Sequence, residues 1–129
     1  MYKSEIIRTS IENMNKIELT ALKDVTDCEM LEGVANSNEG KGDVIYPVDY
    51  AVIHVENDKS SSKEYDVLVI VDASGTKYRT GSASFMKAFE DIFNELKDET
   101  TPWGIRVFGK DSKNFNGKKF LTCSVYIPR

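Results

Sequence analysis

The sequence predicts a mainly β fold of the α+β class, and three patterns lead to this prediction. From Asp43 onward, five segments have the composition of strands, and in the last two the apolar and polar residues alternate with the period of a strand that has one buried face. One stretch, 82–97, has apolar residues at helical spacing instead. The segment 1–42 is acidic and mostly compatible with helix. We therefore divide the chain into an N-terminal extension, 1–42, and a β domain, 43–129.

Length and composition are those of an ordinary globular domain. The 129 residues are 40% hydrophobic and 29% charged. No run approaches the ~20 apolar residues of a membrane span, and MYKSEIIRTS lacks the apolar core of a secretory signal. Cys28 and Cys123 form no metal-binding spacing. We expect a cytoplasmic protein with two reduced thiols and no membrane partner.

The first three strands of the β domain are predicted in succession along the chain. Residues 44–55 form one long strand, or two pieces separated at Pro47, because proline cannot donate to a strand ladder. The second strand is 65–71 and the third is 77–80. Between them, DASGT at 72–76 contains the glycine that a tight hairpin turn needs.

A helix and two more strands complete the β domain. Ser82 or Ser84 can cap the helix by accepting a backbone hydrogen bond, and Pro102 stops the chain from continuing as helix. The last strands are predicted at 105–109 and 119–127. The apolar stripe of the helix consists of Phe85, Phe89, Ile92, Phe93 and Leu96.

This order of strands and helix is that of a five-stranded oligonucleotide-binding (OB) barrel, which has its helix between strands 3 and 4. We predict an OB-like barrel on which residues 1–42 pack as a helical or extended segment. A generic α+β sheet domain is the alternative, and the sequence leaves it open.

Charge is distributed unevenly along the chain. Residues 103–129 carry six basic residues and one acidic residue, a net charge of +5, whereas residues 1–102 carry 11 basic and 20 acidic residues, a net charge of −9. The total of −4 disfavours bulk binding to duplex DNA, in which phosphate neutralisation dominates the affinity. A local basic strip on an acidic body is compatible with this total.

The last two strands combine basic and aromatic side chains on one face. If Ile105, Val107, Leu121, Cys123, Val125 and Ile127 face the interior, the residues between them face outward. The loop between the strands and the third strand add further basic and aromatic positions. The predicted nucleic-acid-binding residues are Tyr78, Arg79, Arg106, Phe108, Lys110, Lys113, Asn114, Phe115, Lys118, Phe120 and Tyr126.

Such a surface suits an unpaired nucleic acid strand. Stacking of an exposed base on an aromatic ring contributes roughly 1–3 kcal/mol, and Lys and Arg contact the phosphates and release counterions. Because none of these contacts reads base edges, we expect binding with little sequence preference. Single-stranded DNA is the expected partner, and single-stranded RNA is the alternative.

Two structural alternatives remain open for the aromatic residues. Phe120 and Tyr126 could pack beneath the N-terminal segment, and Phe115 could fold back into the mouth of the barrel. The N-terminal side chains that need a partner are Ile6, Ile7, Ile11 and Met14.

Other chemistry is weakly represented in the sequence. His54 is the only histidine and is predicted to be structural, since no second ligand stands near it in sequence. No catalytic triad, metal cluster or phosphate-binding glycine pattern can be assembled. We therefore expect a non-enzymatic protein without a cofactor.

Two segments, VIVDASGTKYRTGSASF and GKDSKNFNGKKFLTCSV, resemble the small single-stranded DNA-binding proteins of bacteriophages that infect Gram-positive bacteria. The resemblance covers roughly residues 43–127. It implies an OB fold that coats single strands during phage DNA replication or recombination in the host cytoplasm. The DNA contacts that it implies are Tyr78, Arg79, Lys110, Lys113, Phe115, Lys118 and Phe120.

Partners beyond DNA are also suggested by charge and by strand edges. The chain ends in VYIPR, without the acidic tail that recruits replication partners in cellular single-stranded DNA-binding proteins. The acidic N-terminal region is the better candidate surface for replication proteins. A homodimer through open strand edges is left open. The alternative function is an acidic protein-interaction module, such as a phage factor that binds or inhibits a host protein.

Overall fold

The structure is a computed structural model that describes residues 2–13, 15–24, 26–39, 41–57, 64–111 and 119–128. The chain forms two compact units. The first unit comprises residues 1–29 and 47–81, and the second comprises residues 30–46 and 82–129. Each unit contains strands and helix, so the predicted mainly β, α+β class is confirmed.

The elements are, in chain order, β1 (Tyr2–Thr9), α1 (Lys16–Lys23), β2 (Glu29–Met30), α2 (Leu31–Ala35), β3 (Asp43–Ile45), β4 (Pro47–Asn57), β5 (Glu64–Asp72), β6 (Lys77–Thr80), α3 (Ala83–Leu96), β7 (Gly104–Asp111) and β8 (Lys119–Tyr126). The five strands β1-β4-β5-β6-β2 form one sheet in that order, and β3-β7-β8 form a second sheet. The pairs β1–β4, β4–β5, β5–β6, β3–β7 and β7–β8 are all antiparallel.

The core of the first unit lies between α1 and one face of the larger sheet. Helix α1 begins after Asn15, whose Oδ1 accepts a hydrogen bond from the Glu18 N–H at 2.8 Å. At the other end of the helix, Lys77 Nζ on β6 donates to the carbonyl oxygens of Ala21 and Asp24. The buried cluster beneath the helix, which we call the Leu22 cluster, consists of Leu22, Ala51, Ile53, Val55 and Val69, with Ile6 and Ile11 packed against it.

The N-terminal segment, expected to be mostly compatible with helix, begins with a strand. Strand β1 pairs with β4 from Tyr2 opposite Asn57 to Thr9 opposite Ala51. Among the described residues of this segment, helix forms in α1 and α2. The strand depends on a partner more than 40 residues away, and local periodicity cannot reveal such a partner.

In the second unit, α3 packs along β8 of the three-stranded sheet. The predicted cap is confirmed at Ser82, whose Oγ accepts a hydrogen bond from the Phe85 N–H at 3.2 Å. Ser84 Oγ donates to the Leu121 carbonyl at 3.1 Å and joins the helix to β8. The core of this unit includes Ile45, Phe85, Phe89, Phe93, Ile105, Val107, Leu121 and Cys123.

The described strands do not form a closed barrel, whereas the predicted order of strands and helix after residue 43 is confirmed. The first predicted strand is interrupted at Tyr46, so that β3 pairs with β7 while β4 pairs with β1 and β5. A barrel needs an unbroken ring of strand pairs. Among the described residues, each sheet instead keeps two edge strands, β1 and β2 in one and β3 and β8 in the other.

The hairpin between β5 and β6 is confirmed. The Gly75 N–H donates to the Asp72 carbonyl at 2.9 Å, and the Asp72 N–H donates to the Thr76 carbonyl at 3.0 Å. Within the part of the chain that the structure describes, no helix is long and apolar enough to cross a membrane.

Candidate nucleic-acid interface

The register of β7 and β8 brings the predicted outward residues onto one face. Lys110 lies opposite Phe120, and Phe108 lies opposite Thr122. Residues that are directly opposite in an antiparallel pair project to the same side of the sheet. We call this surface the β7–β8 face, and its residues are Arg106, Phe108, Lys110, Phe120, Thr122, Ser124 and Tyr126.

The reverse side of the two strands is apolar, but burial is lost near the end of β8. Ile105 and Val107 are fully buried. The expected burial of Val125 and Ile127 is wrong, since these side chains are 47% and 58% exposed. Among the described strands, β8 pairs with β7 alone, and Ile127 lies past the last residue of β8, which leaves these side chains uncovered.

The β7–β8 face is partly open to solvent. Phe120 is 37% exposed, Lys110 is exposed, and Arg106, Phe108 and Tyr126 are half-buried. The N-terminal residues Ile6 and Ile11, which were the alternative partners for these aromatic rings, pack against the Leu22 cluster of the first unit. Phe120 therefore has the exposure that a stacking platform requires.

Arg106 and Tyr126 form a cation–π pair within this face. The Arg106 guanidinium carbon lies 5.7 Å from the centroid of the Tyr126 ring. Such a pair contributes roughly 0.5–1 kcal/mol at an exposed site. Tyr126 therefore positions Arg106, and its ring is less available for base stacking than the ring of Phe120.

Beside the β7–β8 face lies an aromatic residue that the sequence analysis did not predict as part of it. Tyr46 is 39% exposed and meets Tyr126 edge to face, with ring centroids 6.4 Å apart. The Tyr46 ring lies across Gly104, where an added Cβ would stand 2.9 Å from the Tyr46 Cδ1 atom. A glycine inside a strand often marks such a close approach, and Gly104 was the available signal.

Two predicted residues lie in the first unit. Tyr78 and Arg79 are consecutive in β6, opposite Ile70 and Val69, so they project to opposite faces of the larger sheet. The Nε of Arg79 is buried and has no hydrogen-bond partner among the described atoms. The two side chains do not line one surface of that sheet.

The remaining predicted contacts belong to the loop between β7 and β8. Lys113, Asn114, Phe115 and Lys118 lie outside the described residues. Their assignment as nucleic-acid contacts stays a prediction, as does the alternative position of Phe115.

A separate polar cluster surrounds His54 in the first unit. The His54 Nδ1 lies 2.8 Å from Asp66 Oδ1, and its Nε2 lies 3.7 Å from Glu64 Oε1. The hydrogen bond to Asp66 raises the pKa of the His54 imidazole, and the Glu64 carboxylate raises it further. The sequence analysis did not predict this cluster, because Glu64 and Asp66 are brought to His54 only by the pairing of β4 with β5.

No family model, curated protein or solved structure matches this chain. The function of the chain is therefore inferred from its own residues and their arrangement.

Proposed function

We propose that this chain is a non-enzymatic protein that binds single-stranded DNA with little sequence preference, through the β7–β8 face. The observation that carries the proposal is the interleaving of cationic and aromatic side chains on one half-exposed face, with Lys110 directly opposite Phe120. Such a face provides stacking for bases and charge for phosphates side by side.

The spacing of the side chains supports this role. Residues two apart on a strand are about 6.8 Å apart, and directly opposite residues have Cα atoms about 4.5–5.5 Å apart. Phe120 is thus close enough to Lys110 for one nucleotide to stack on the ring while its phosphate meets the ammonium group. Arg106, held by Tyr126, supplies a second cation farther along the same face.

The proposal includes an OB-like fold. It is supported by the order of strands and helix after residue 43. It is also supported by the division of the first predicted strand into β3 and β4, which pair in different sheets.

The proposed setting is DNA replication or recombination of a bacteriophage in its host cytoplasm. This part rests on the sequence resemblance alone. The acidic N-terminal region is the proposed contact for replication proteins, and single-stranded RNA is the alternative ligand.

Binding of a fluorescently labelled oligo-dT, followed by anisotropy, tests the proposal. Phe120→Ala should weaken binding about 5- to 150-fold, because one stacking platform is lost. Lys110→Ala should lower the slope of log affinity against log salt by about 0.7, because one phosphate contact is lost. Tyr65→Ala is the matched control, since Tyr65 on β5 is 38% exposed, against 37% for Phe120.

Several outcomes would contradict the proposal. A complete absence of binding to single strands at low salt would exclude the function. Equal weakening by Phe120→Ala and Tyr65→Ala would exclude the β7–β8 face as the binding surface. Tighter binding to duplex than to single-stranded DNA would remove base stacking as the mechanism.

A further inference from the structure

We propose that His54, Glu56 and Glu64 form a binding site for a divalent cation of the zinc class, on the face of the larger sheet opposite the Leu22 cluster. The site lies entirely within the first unit. It is therefore independent of the proposed DNA-binding function, which uses residues of the second unit.

Strand register brings these residues together. His54 lies opposite Glu5 on β1 and opposite Asp66 on β5, and two residues along β4, Glu56 lies opposite Glu64. Side chains two residues apart on a strand share a face. Four acidic residues therefore share the face of His54 with two basic ones, Lys3 opposite Glu56 and Arg8 opposite Val52. The excess of negative charge favours a bound cation.

The donor atoms have a suitable separation. One ligand atom from each of His54, Glu56 and Glu64 can be chosen so that all three lie within 4.8 Å of one another. The His54 Nε2 and Glu64 Oε1 atoms are 3.7 Å apart. Zinc bonds of about 2.0–2.2 Å in tetrahedral geometry put neighbouring ligand atoms about 3.4 Å apart, so small side-chain movements complete the site.

Asp66 prepares His54 for coordination. Because an ionised carboxylate can only accept a hydrogen bond, the contact of 2.8 Å places the imidazole proton on Nδ1. In the neutral imidazole, the Nε2 lone pair then faces Glu64. A carboxylate behind a ligating histidine fixes its tautomer and strengthens it as a ligand, and loss of such a carboxylate typically weakens metal binding 10- to 100-fold.

The site has room for an ion with its remaining ligands. A surface depression of about 440 Å³ is lined by Ser4, Glu5, His54 and Glu56. Water or the Glu5 carboxylate can complete the coordination there. The nitrogen ligand favours zinc or a similar transition metal over magnesium, which prefers oxygen ligands.

Titration of ZnCl₂ into the full chain tests this site by two readouts, calorimetry and imidazole NMR. His54 is the only histidine, so its imidazole resonances report the site without ambiguity. A Cys28→Ser background removes the half-buried thiol as a competing ligand. We expect 1:1 binding with a shift of the Nε2 resonance, and no comparable shift with MgCl₂.

Variants then separate metal binding from folding. Asp66→Asn should lower zinc affinity 10- to 100-fold, and Glu64→Gln and His54→Ala should each lower it at least tenfold, with far-ultraviolet circular dichroism confirming the fold. Asp91→Asn, on the exposed side of α3, is the matched control and should bind as the parent does.

The site is excluded if the parent shows no saturable binding at about 1 mM Zn²⁺. It is also excluded if His54→Ala binds zinc as tightly as the parent, or if Mg²⁺ binds equally well.

Discussion

Tyr46 and Tyr126 meet edge to face across Gly104, with ring centroids 6.4 Å apart and planes at 81°. Tyr126 in turn lies beneath the Arg106 guanidinium. Tyr46, Tyr126 and Arg106 therefore pack in series on one side of the sheet. This packing requires that position 104 has no side chain.

Gly104→Ala should destabilise the fold by about 1–3 kcal/mol, because overpacking at a tight contact displaces its neighbours. The added Cβ would stand 2.9 Å from the Ile45 carbonyl oxygen, a backbone atom that cannot rotate away. Urea unfolding measures the change. Gly33→Ala in α2 is the control, since its Cβ meets nothing within 4 Å. This variant should be neutral or stabilising by about 0.5–1 kcal/mol, and equal losses in both variants would refute the close contact at Gly104.

Tyr126→Leu should weaken binding of single-stranded DNA about 2- to 5-fold, because the Arg106 guanidinium loses a cation–π contact of roughly 0.5–1 kcal/mol. Tyr126→Phe keeps the ring and should bind within about twofold of the parent. Oligo-dT anisotropy at constant salt measures both affinities. If the two variants lose affinity to the same extent, the Tyr126 hydroxyl rather than its ring is responsible. The proposal that the ring positions Arg106 would then be wrong.

The His54 imidazole should titrate above its usual pKa of 6.5 when a chelator excludes metals, because the Asp66 carboxylate stabilises the charged ring. The charged residues that the strand register places on its face are Lys3, Glu5 and Arg8 on β1, Glu56 on β4, and Glu64 and Asp66 on β5. The stabilisation that results is fully present below pH 6.5 and is lost as the pH rises through the folded-state pKa.

Proton NMR of this single histidine gives its pKa directly. Asp66→Asn should lower the value, and Asp91→Asn should leave it unchanged. A parent pKa at or below 6.5 would show that the contact with Asp66 is not formed in solution.

Cys123 should resist thiol reagents in the folded protein, because burial raises the pKa of its thiol from 9.0 to about 12. Cys28 is only half-buried, so it should react first, although burial raises its pKa as well. Labelling near pH 8, with and without denaturant, resolves the two thiols by mass spectrometry. Because the folded state holds the Cys123 proton more tightly than the unfolded state does, the free energy of unfolding should fall as the pH rises from about 9 to about 12. Equal labelling rates for the two thiols in the native protein would refute the burial of Cys123.

The sequence predicted the elements whose causes are local. Ser82 caps α3 through an atom three residues away, and the hairpin after Asp72 closes within five residues. The two faces of β7 and β8 were predicted through the middle of both strands, because side-chain alternation is a local property of a strand. These patterns also placed Lys110 and Phe120 on one surface.

The tertiary structure decided which distant segments meet. Four features depend on residues that are not neighbours in the sequence. They are the pairing of β1 with β4, the assignment of the strands to two sheets, the contact of Tyr46 with Tyr126 and the hydrogen bond between Asp66 and His54. Each depends on the free energy of packing and hydrogen bonding with a specific partner, and periodicity within one segment does not contain that information. The sequence alone therefore determined which residues of a strand share a face. The tertiary structure decided which faces are covered and which side chains come together as a site.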